Sequence, residues 1–365
     1  MTDHQWTELL AVIAGEPRER PPVGFIIDCP WLPNWAGRDI LDYFTSEDLW
    51  FAAHRKAIEA FPEVTFLPGF WSEFGMCTEP SAFGAKCVFH RNEFPFADKV
   101  IRDVAQIDDL AEPDPATDGL LPFMLNRLKT TQPRIEELGH KIRFSVSRGP
   151  LNIATFLMGT TEFLMALKTD PDKAHKLLRM ITSFLKQWHA LQRKTFPSID
   201  GMFMLDDIVG FVGTEDFREF GLPYFKDLYA ADNAVKFFHN DAKCEKSIGF
   251  YPEIGINLYN PGIFNPLEEL RCDGNFTVQK TSATAWTLSG ALQANATLHL
   301  DFRDADGVAD AETLPIAVTP DEPPRITVTA PPEGKEVFAA PTDALAVTFT
   351  ATDNFGLESV ALYRP

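Results

Sequence analysis

Strand-like and helix-like segments alternate through about the first 270 residues, and this alternation restricts the fold more than any other feature of the chain. Each short apolar run is followed by polar or turn residues and then by a helical pattern. The predicted strands are Val23–Asp28, Val64–Gly69, Lys141–Pro150, Gly201–Asp207, Ala234–Asp241 and Gly255–Pro261. Alternation of this kind predicts right-handed βα units, which build either a doubly wound parallel sheet or a barrel.

Two of the intervening segments have strong helical patterns. Glu47–Phe61 has apolar residues at helical spacing. A longer helix is predicted to begin at Asp170-Pro171, because proline suits the first helical position. One face of this helix is apolar and consists of Leu177, Leu178, Ile181, Leu185 and Trp188.

Composition excludes several classes of partner. The net charge is −19, which repels nucleic-acid phosphate and anionic lipid, so neither nucleic acid nor a membrane is expected.

The N-terminus lacks the basic region of a signal peptide, and we expect a cytoplasmic protein. The cysteines are odd in number and scattered, which is no disulfide framework. They are Cys29, Cys77, Cys87, Cys244 and Cys272.

The pattern changes after Arg271, where short alternating runs separated by Gly, Pro and Asp replace the helical spacing. Such runs are typical of an antiparallel sandwich. Thr350–Leu362 resembles the signature of bacterial Ig-like modules. We therefore predict a βα domain over residues 1–271, a β-rich segment over 272–322 and a partial Ig-like sandwich over 323–365.

Four motifs, in order along the chain, resemble the uroporphyrinogen decarboxylase superfamily. They are Arg20–Asp28, Gly149–Gly159, Phe203–Leu228 and Phe237–Gly262. The resemblance implies a (β/α)8 barrel of the TIM type, whose active site lies at the carboxyl ends of the strands. About six strands precede Arg271, so the barrel is predicted to be open and the chain to be truncated or chimeric.

The sequence departs from the decarboxylases at the positions that bind their substrate. Their arginine-rich loop after the first strand is replaced by Cys29–Pro33, and their active-site tyrosine by Phe156. Their segment with a conserved aspartate corresponds to Phe66–Gly75, which offers Glu73. A tetrapyrrole with many carboxylates needs cationic partners in its binding site. Decarboxylation of uroporphyrinogen is therefore not the favoured hypothesis for the function of this chain.

The polar residues at the strand ends are more similar to the cobalamin-dependent methyltransferase branch. In that branch zinc is bound through an H-x-C motif and activates a thiol for methyl transfer. Here the motif is His239-x-Asp241, the two predicted metal ligands. The predicted catalytic residues are Asp206, Asp207, His239 and Asp241, and the predicted substrate-binding residues are Asp28, Arg148, Asn152, Phe156 and Asn260.

Three hypotheses follow for the function. The first is an enzyme that transfers a methyl group between a corrinoid protein and a small molecule, with zinc as the expected metal. The second is uroporphyrinogen decarboxylation in porphyrin biosynthesis, which uses no cofactor. The third is a non-catalytic fusion whose Ig-like part binds other proteins. No nucleotide-binding or nucleophile-elbow motif occurs in the sequence, so kinase, dehydrogenase and serine-hydrolase functions lack support.

Overall fold

A computed structural model describes most of the chain, which divides into two compact units, Met1–Asn265 and Pro266–Pro365. The described residues of the first unit are 1–17 and 22–262. Those of the second unit are 267–272, 277–282, 285–289, 296–304, 309–317, 324–330, 332 and 346–353. All structural statements below concern these residues.

The first unit is an α/β structure whose main strands run parallel. The strands are β1 (Val23–Ile26), β2 (Val64–Leu67), β3 (Cys87–Val88), β4 (Phe96–Ala97), β5 (Phe144–Arg148), β6 (Gly201–Leu205), β7 (Val235–Asn240) and β8 (Leu258–Pro261). β1 pairs with β2, and β5 to β8 form a four-stranded sheet in sequence order. β3 and β4 form a short antiparallel hairpin. All six strands predicted from the sequence are therefore confirmed as parallel strands.

Helices follow these strands in the order that βα units require. They are α1 (Asp3–Ile13), α2 (Trp31–Ala36), α3 (Ile40–Thr45), α4 (Glu47–Ala60), α5 (Thr78–Ala82), α6 (Leu121–Glu137), α7 (Pro150–Met158), α8 (Thr160–Thr169), α9 (Pro171–Thr195), α10 (Thr214–Asp216), α11 (Leu222–Tyr229) and α12 (Tyr251–Ile254). Among the described helices, none is by itself long and apolar enough to span a membrane, and the one pair that passes together, α7 and α8, is bent by 105°.

The longest helix shows why the sequence pattern was informative. α9 begins at Pro171, as predicted. All five predicted apolar residues of its face are at most 1% exposed, and they pack in the large core between the sheet and the helices. At about 25 cal/mol per Å² of apolar surface, burial of such a face provides most of the helix's stability.

The strands enclose a second, smaller apolar core. Alternate residues of β5, β6 and β7, among them Val146, Phe203 and Phe237, pack together with Leu67 of β2. Helix α1 adds Trp6 to this core, where the indole makes an edge-to-face contact with Phe144 at 5.5 Å between ring centroids. Because side chains alternate along a strand, this core identifies which residues face the interior.

Among the described residues of the first unit, only β6 and β7 have a partner strand on both sides. Within the described residues β1 pairs with β2 alone, and β8 pairs with β7 alone. The outer face of β1 is apolar and open, with Phe25 57% and Val23 51% exposed. A cavity of about 330 Å³ lies beside it and is lined by Phe25, Ile26, Ile27, Trp31, Phe61, Val64 and Phe66. Among the described residues β8 is an edge strand, as the strand count predicted, and the truncation of the barrel stays a prediction.

The second unit is built of antiparallel strands. They are β9 (Leu267–Cys272), β10 (Thr277–Ser282), β11 (Ala285–Ser289), β12 (Ala296–Asp304), β13 (Ala309–Ile316), β14 (Arg325–Ala330) and β15 (Thr348–Thr352). They pair as β9-β12-β13, β10-β11 and β14-β15. The predicted antiparallel pairing is confirmed, but the Ig-like sandwich is not, since the described strands form three separate sheets. The end of the Ig-like signature, from residue 354, lies outside the described residues.

Candidate functional site

Residues that face the interior at the carboxyl ends of the strands form one end of the first unit, here called the mouth. Arg148 ends β5, His239 lies near the end of β7, and Asn260 lies in β8. Each of them lies two residues after an interior residue of the same strand, and its side chain therefore points to the same face of the sheet. These interior residues are Val146, Phe237 and Leu258. The register aligns His239 directly with Asn260. Parallel pairing thus brings these predicted site residues to one edge.

A buried ionic cluster surrounds Arg148. Its guanidinium Nη2 donates to Glu73 Oε2 at 2.9 Å, and its backbone N–H donates to Glu79 Oε1 at 3.0 Å. Arg148 Nη1 also lies 3.8 Å from Glu79 Oε2. Burial raises the pKa of Glu79, and the positive charge of Arg148 opposes this effect. One arginine therefore serves two buried carboxylates, which leaves it little capacity to bind an anionic substrate.

Asp28 follows β1 and faces the same cluster. Burial, reinforced by the nearby negative charge of Glu73, raises its pKa from 3.8 to about 7. Arg148 acts in the opposite direction, and Asp241 adds a further small increase. The charges of Arg148 on β5 and of Asp241 after β7 therefore both act on Asp28. A carboxyl group that titrates near neutral pH is suited to accept or donate a proton.

His239 is held by hydrogen bonding on one side and faces a carboxylate on the other. Its Nδ1 lies 2.7 Å from Asn260 Oδ1, an arrangement in which the ring N–H donates to the amide oxygen. Its Nε2 lies 3.6 Å from Asp241 Oδ2, and the Asp241 side chain is 76% exposed. The backbone N–H of Asp241 donates to Asp207 Oδ1 at 2.7 Å. Asp207 thus positions the loop that carries Asp241.

Asp206 is directed away from the mouth, toward the helices that cover the sheet. Its side chain is completely buried on the helix side of β6. Oδ2 accepts the backbone N–H groups of Leu151 and Asn152 at 2.9 and 3.1 Å, and Oδ1 accepts that of Ile208 at 3.1 Å. Burial raises the pKa of Asp206 to about 8, while these N–H groups favour the ionised form. In the structure Asp206 caps the start of α7.

The remaining predicted residues lie on α7. The backbone of Asn152 is one of the donors to Asp206, and its side-chain amide lies 3.5 Å from the carbonyl oxygen of Leu205. Phe156 is half-buried one turn further along the helix. Substrate binding by Asn152 and Phe156, and catalysis by Asp206 and Asp207, stay predictions.

The segment after β2 provides two carboxyl groups to the mouth. Glu79 belongs to none of the sequence motifs above, and Glu73 is the residue that the sequence offers in place of the family's aspartate. Both are buried, at 1% and 4% exposure. The sequence signal for them is the presence of two acidic residues in a stretch of otherwise apolar and small residues. Because buried carboxylates require a cationic partner, such a stretch predicts a buried ion pair.

The predicted zinc ligands provide part of a metal site. His239 Nε2 and Asp241 Oδ2 face each other, and the hydrogen bond to Asn260 fixes the imidazole as is usual for a metal ligand. A catalytic zinc takes about three protein ligands. Across the described part of the chain, no group of three His, Cys, Asp or Glu residues is placed to hold a metal ion. The described residues therefore fit a zinc ion incompletely.

Comparison with known proteins agrees with the parallel βα architecture. The family model described as uroporphyrinogen decarboxylase (URO-D) matches residues 5–285, more than half of the chain. A solved structure, "methyltransferase from Methanosarcina mazei", superposes with a TM-score of 0.58 at 17% identity. The superposition covers 69% of this chain and 74% of that one. This likeness shows the fold, a TIM-type barrel.

Curated relatives match over shorter regions. The uroporphyrinogen decarboxylase of Flavobacterium johnsoniae is 24% identical over 238 residues, 61% of this chain and 65% of the relative. That of Chloroherpeton thalassium is 25% identical over 244 residues, 64% of this chain and 65% of the relative. That of Actinobacillus succinogenes is 25% identical over 159 residues, and the chain spans 43% of its length. From the family-model match, the chain belongs to the uroporphyrinogen decarboxylase (URO-D) family.

Proposed function

We propose that this chain is a methyltransferase of the URO-D family that moves a methyl group between a corrinoid protein and a small acceptor without negative charge. The observation that carries the proposal is the charge of the mouth. Three carboxyl groups, Asp28, Glu73 and Glu79, lie around the buried cation Arg148. A second buried arginine, Arg127, donates its hydrogen bonds to Ser72 and to the carbonyl oxygen of Phe44 instead. Such a site favours neutral or cationic groups and disfavours a substrate rich in carboxylates.

The methyl-transfer class rests on two further observations. His239-x-Asp241 stands at the end of β7, where the resemblance places the methyltransferases' H-x-C motif. A solved protein of the same fold carries the name methyltransferase. The donor in this class is a methylated corrinoid carried by a partner protein, so that protein is the proposed macromolecular partner.

Asp28 is the proposed proton acceptor. The acceptor enters as X–H, a bond forms between X and the methyl carbon, and the bond between that carbon and cobalt breaks. The electron pair of the broken bond remains on cobalt, and the proton of X–H passes to Asp28. Because the pKa of Asp28 is about 7, it can take the proton and release it to water at neutral pH.

Zinc would supply Lewis-acid activation of a thiol acceptor, and His239 with Asp241 are the residues that would hold it. The fit is incomplete among the described residues, so we assign no step to zinc. Elemental analysis of the purified full chain tests this part separately. Near-stoichiometric zinc that disappears in His239→Ala would establish the site, and metal-free protein with an intact fold would exclude it.

Decarboxylation of uroporphyrinogen is the second candidate, because the curated relatives carry that name. It requires cations for the substrate carboxylates and a mouth that accepts negative charge. Arg148 is already engaged by Glu73 and Glu79, and Phe156 occupies the position of the family's tyrosine. We therefore rank it below methyl transfer.

A paired assay on the full chain separates the two candidates. One arm follows conversion of uroporphyrinogen to coproporphyrinogen, and the other follows loss of the methyl–cobalt absorbance of methylcobalamin in the presence of small thiols and amines. We expect demethylation without porphyrinogen turnover. Porphyrinogen turnover without demethylation would replace the proposal by the second candidate, and no turnover in either arm would support a non-catalytic role.

A further inference from the structure

Two thiols meet beside the loop that carries Glu79. Cys77 directly precedes α5 and is completely buried, whereas Cys87 lies in β3 and is half-buried. The Sγ of Cys87 lies 3.9 Å from the carbonyl oxygen of Cys77. Each thiol is also the largest single influence on the pKa of the other. The sulfur of Cys87 therefore lies against the Cys77 residue.

The surroundings make the two thiols unequal. The hydrogen bond from Cys77 lowers the pKa of Cys87, whereas the same bond and burial raise the pKa of Cys77. Cys87 therefore ionises first and is the thiol that solvent reaches. Redox-sensing cysteines typically combine an accessible thiolate with a neighbouring thiol that resolves its oxidised form.

We propose that Cys77 and Cys87 form a reversible regulatory disulfide, with Cys87 as the thiol that reacts first with a hydroperoxide. The Cys87 thiolate attacks the peroxide, the O–O bond breaks, and Cys87 becomes a sulfenic acid as the peroxide is reduced to an alcohol or water. The thiol of Cys77 then attacks the sulfenic sulfur, the S–S bond forms, and water leaves. A reducing thiol reverses the reaction by exchange.

The location connects this modification to the mouth. Cys77 lies two residues before Glu79, whose carboxylate accepts the backbone N–H of Arg148 at 3.0 Å. The charge of Arg148 also acts on the thiol of Cys77. Because Cys77 directly precedes α5, the helix that carries Glu79, the oxidation state of the pair acts on the element that supports Arg148.

The test uses the purified full chain, treated with hydrogen peroxide, blocked with N-ethylmaleimide and digested with trypsin without reduction. Lys86 separates the two cysteines, so the tryptic peptides are residues 57–86 and 87–91. We expect these two peptides to be recovered as one linked species that lacks two hydrogen atoms, and dithiothreitol to separate them. Cys87→Ser and Cys77→Ser should each abolish the linked species, whereas Cys29→Ser, at a buried cysteine, should retain it.

Oxidation of the chain unfolded in guanidinium chloride provides the control for proximity along the sequence. We expect the linked peptides to predominate in the folded chain and to become one of several pairings of the five cysteines after unfolding. Equal linkage in both states, stable sulfinic acid at Cys87 without linkage, or linkage between chains would each overturn the proposal. Cys87→Ala, checked by circular dichroism, replaces Cys87→Ser if the serine variant does not fold.

Discussion

Asp28 shows how the surroundings of one side chain at the mouth change its affinity for a proton. Its pKa is about 7 because burial and then Glu73 disfavour its charge. In the unfolded chain its pKa returns to about 4, so the folded state binds the proton more tightly. The stabilising contribution is therefore complete below about pH 4 and is lost as the pH rises through 7.

Asp28→Asn removes this dependence. We expect the variant to be more stable than the wild type at pH 8, by about 1–3 kcal/mol. The difference should shrink as the pH falls and level off below about pH 4, where Asp28 is protonated in both states. Urea unfolding across this pH range provides the measurement. Asp109→Asn, at an exposed aspartate, is the matched control and should show no such change. A pH-independent difference would show that Asp28 is ionised throughout.

Arg148→Met tests the buried ionic cluster. Removing the guanidinium leaves Glu73 and Glu79 buried without their cation, and we expect a loss of about 3–5 kcal/mol in unfolding free energy at pH 8. The loss should be smaller at pH 5, because burial raises the pKa of Glu79 and so favours its neutral form as the pH falls. The control is Arg91→Met, which removes an exposed pair with Asp39 and should cost at most about 1 kcal/mol. Equal losses for both variants would contradict the assigned role.

At the scale of elements, the junction between β5 and α7 is fixed by Asp206. A Cβ on Gly149 would lie 2.4 Å from Asp206 Oδ2, so this position excludes any side chain. We expect Gly149→Ala to lower the unfolding free energy by about 1–3 kcal/mol or more. Gly249→Ala is the control, since a Cβ there meets nothing within 4 Å. Thermal unfolding that is unchanged in Gly149→Ala would show that the capping carboxylate can move at little cost.

The open face of β1 predicts that the chain self-associates. An unpaired strand edge with exposed Phe25 tends to recruit another strand or apolar surface. We expect the wild type to self-associate as its concentration rises and Phe25→Lys to reduce this association. Phe123→Lys is the control, because Phe123 is also exposed, at 63%, but lies on α6. Light scattering after size-exclusion chromatography measures the association. A wild type that stays monomeric as its concentration rises would contradict the prediction.

The strands and the long helix could be predicted because periodicity is a local property. The apolar run Gly201–Leu205 and the buried face of α9 are both visible in a short window of sequence. The partners of Arg148 could not be predicted in this way. Glu73 and Glu79 lie about 70 residues away from Arg148 in the sequence. Both belong to the segment after β2, and only the folded chain brings this segment next to the end of β5.

The direction of Asp206 shows a second limit. Strand parity predicts that one of the two adjacent acids faces the interior and the other faces the helices, but parity alone does not say which. The fold decides this through the N–H groups of α7, which bind Asp206. Asp207 is then left to hold the loop of Asp241 at the mouth.

At the scale of the whole molecule, charge links the composition to the proposed function. The net charge is −19, and the mouth repeats this excess of acid locally. A negatively charged site should therefore prefer a cationic acceptor to an anionic acceptor of similar size. 2-Aminoethanethiol and 2-mercaptoethanesulfonate carry the same thiol with a cationic or an anionic neighbour.

The most direct measurement is the rate of methylcobalamin demethylation by the full chain with each of these two thiols. We expect 2-aminoethanethiol to react at least about tenfold faster, a preference of about 1.4 kcal/mol, and Asp28→Asn to lower that rate while Asp109→Asn leaves it unchanged. A faster reaction with 2-mercaptoethanesulfonate, or no enzyme-dependent demethylation with either thiol, would contradict methyl transfer at an acid-lined mouth.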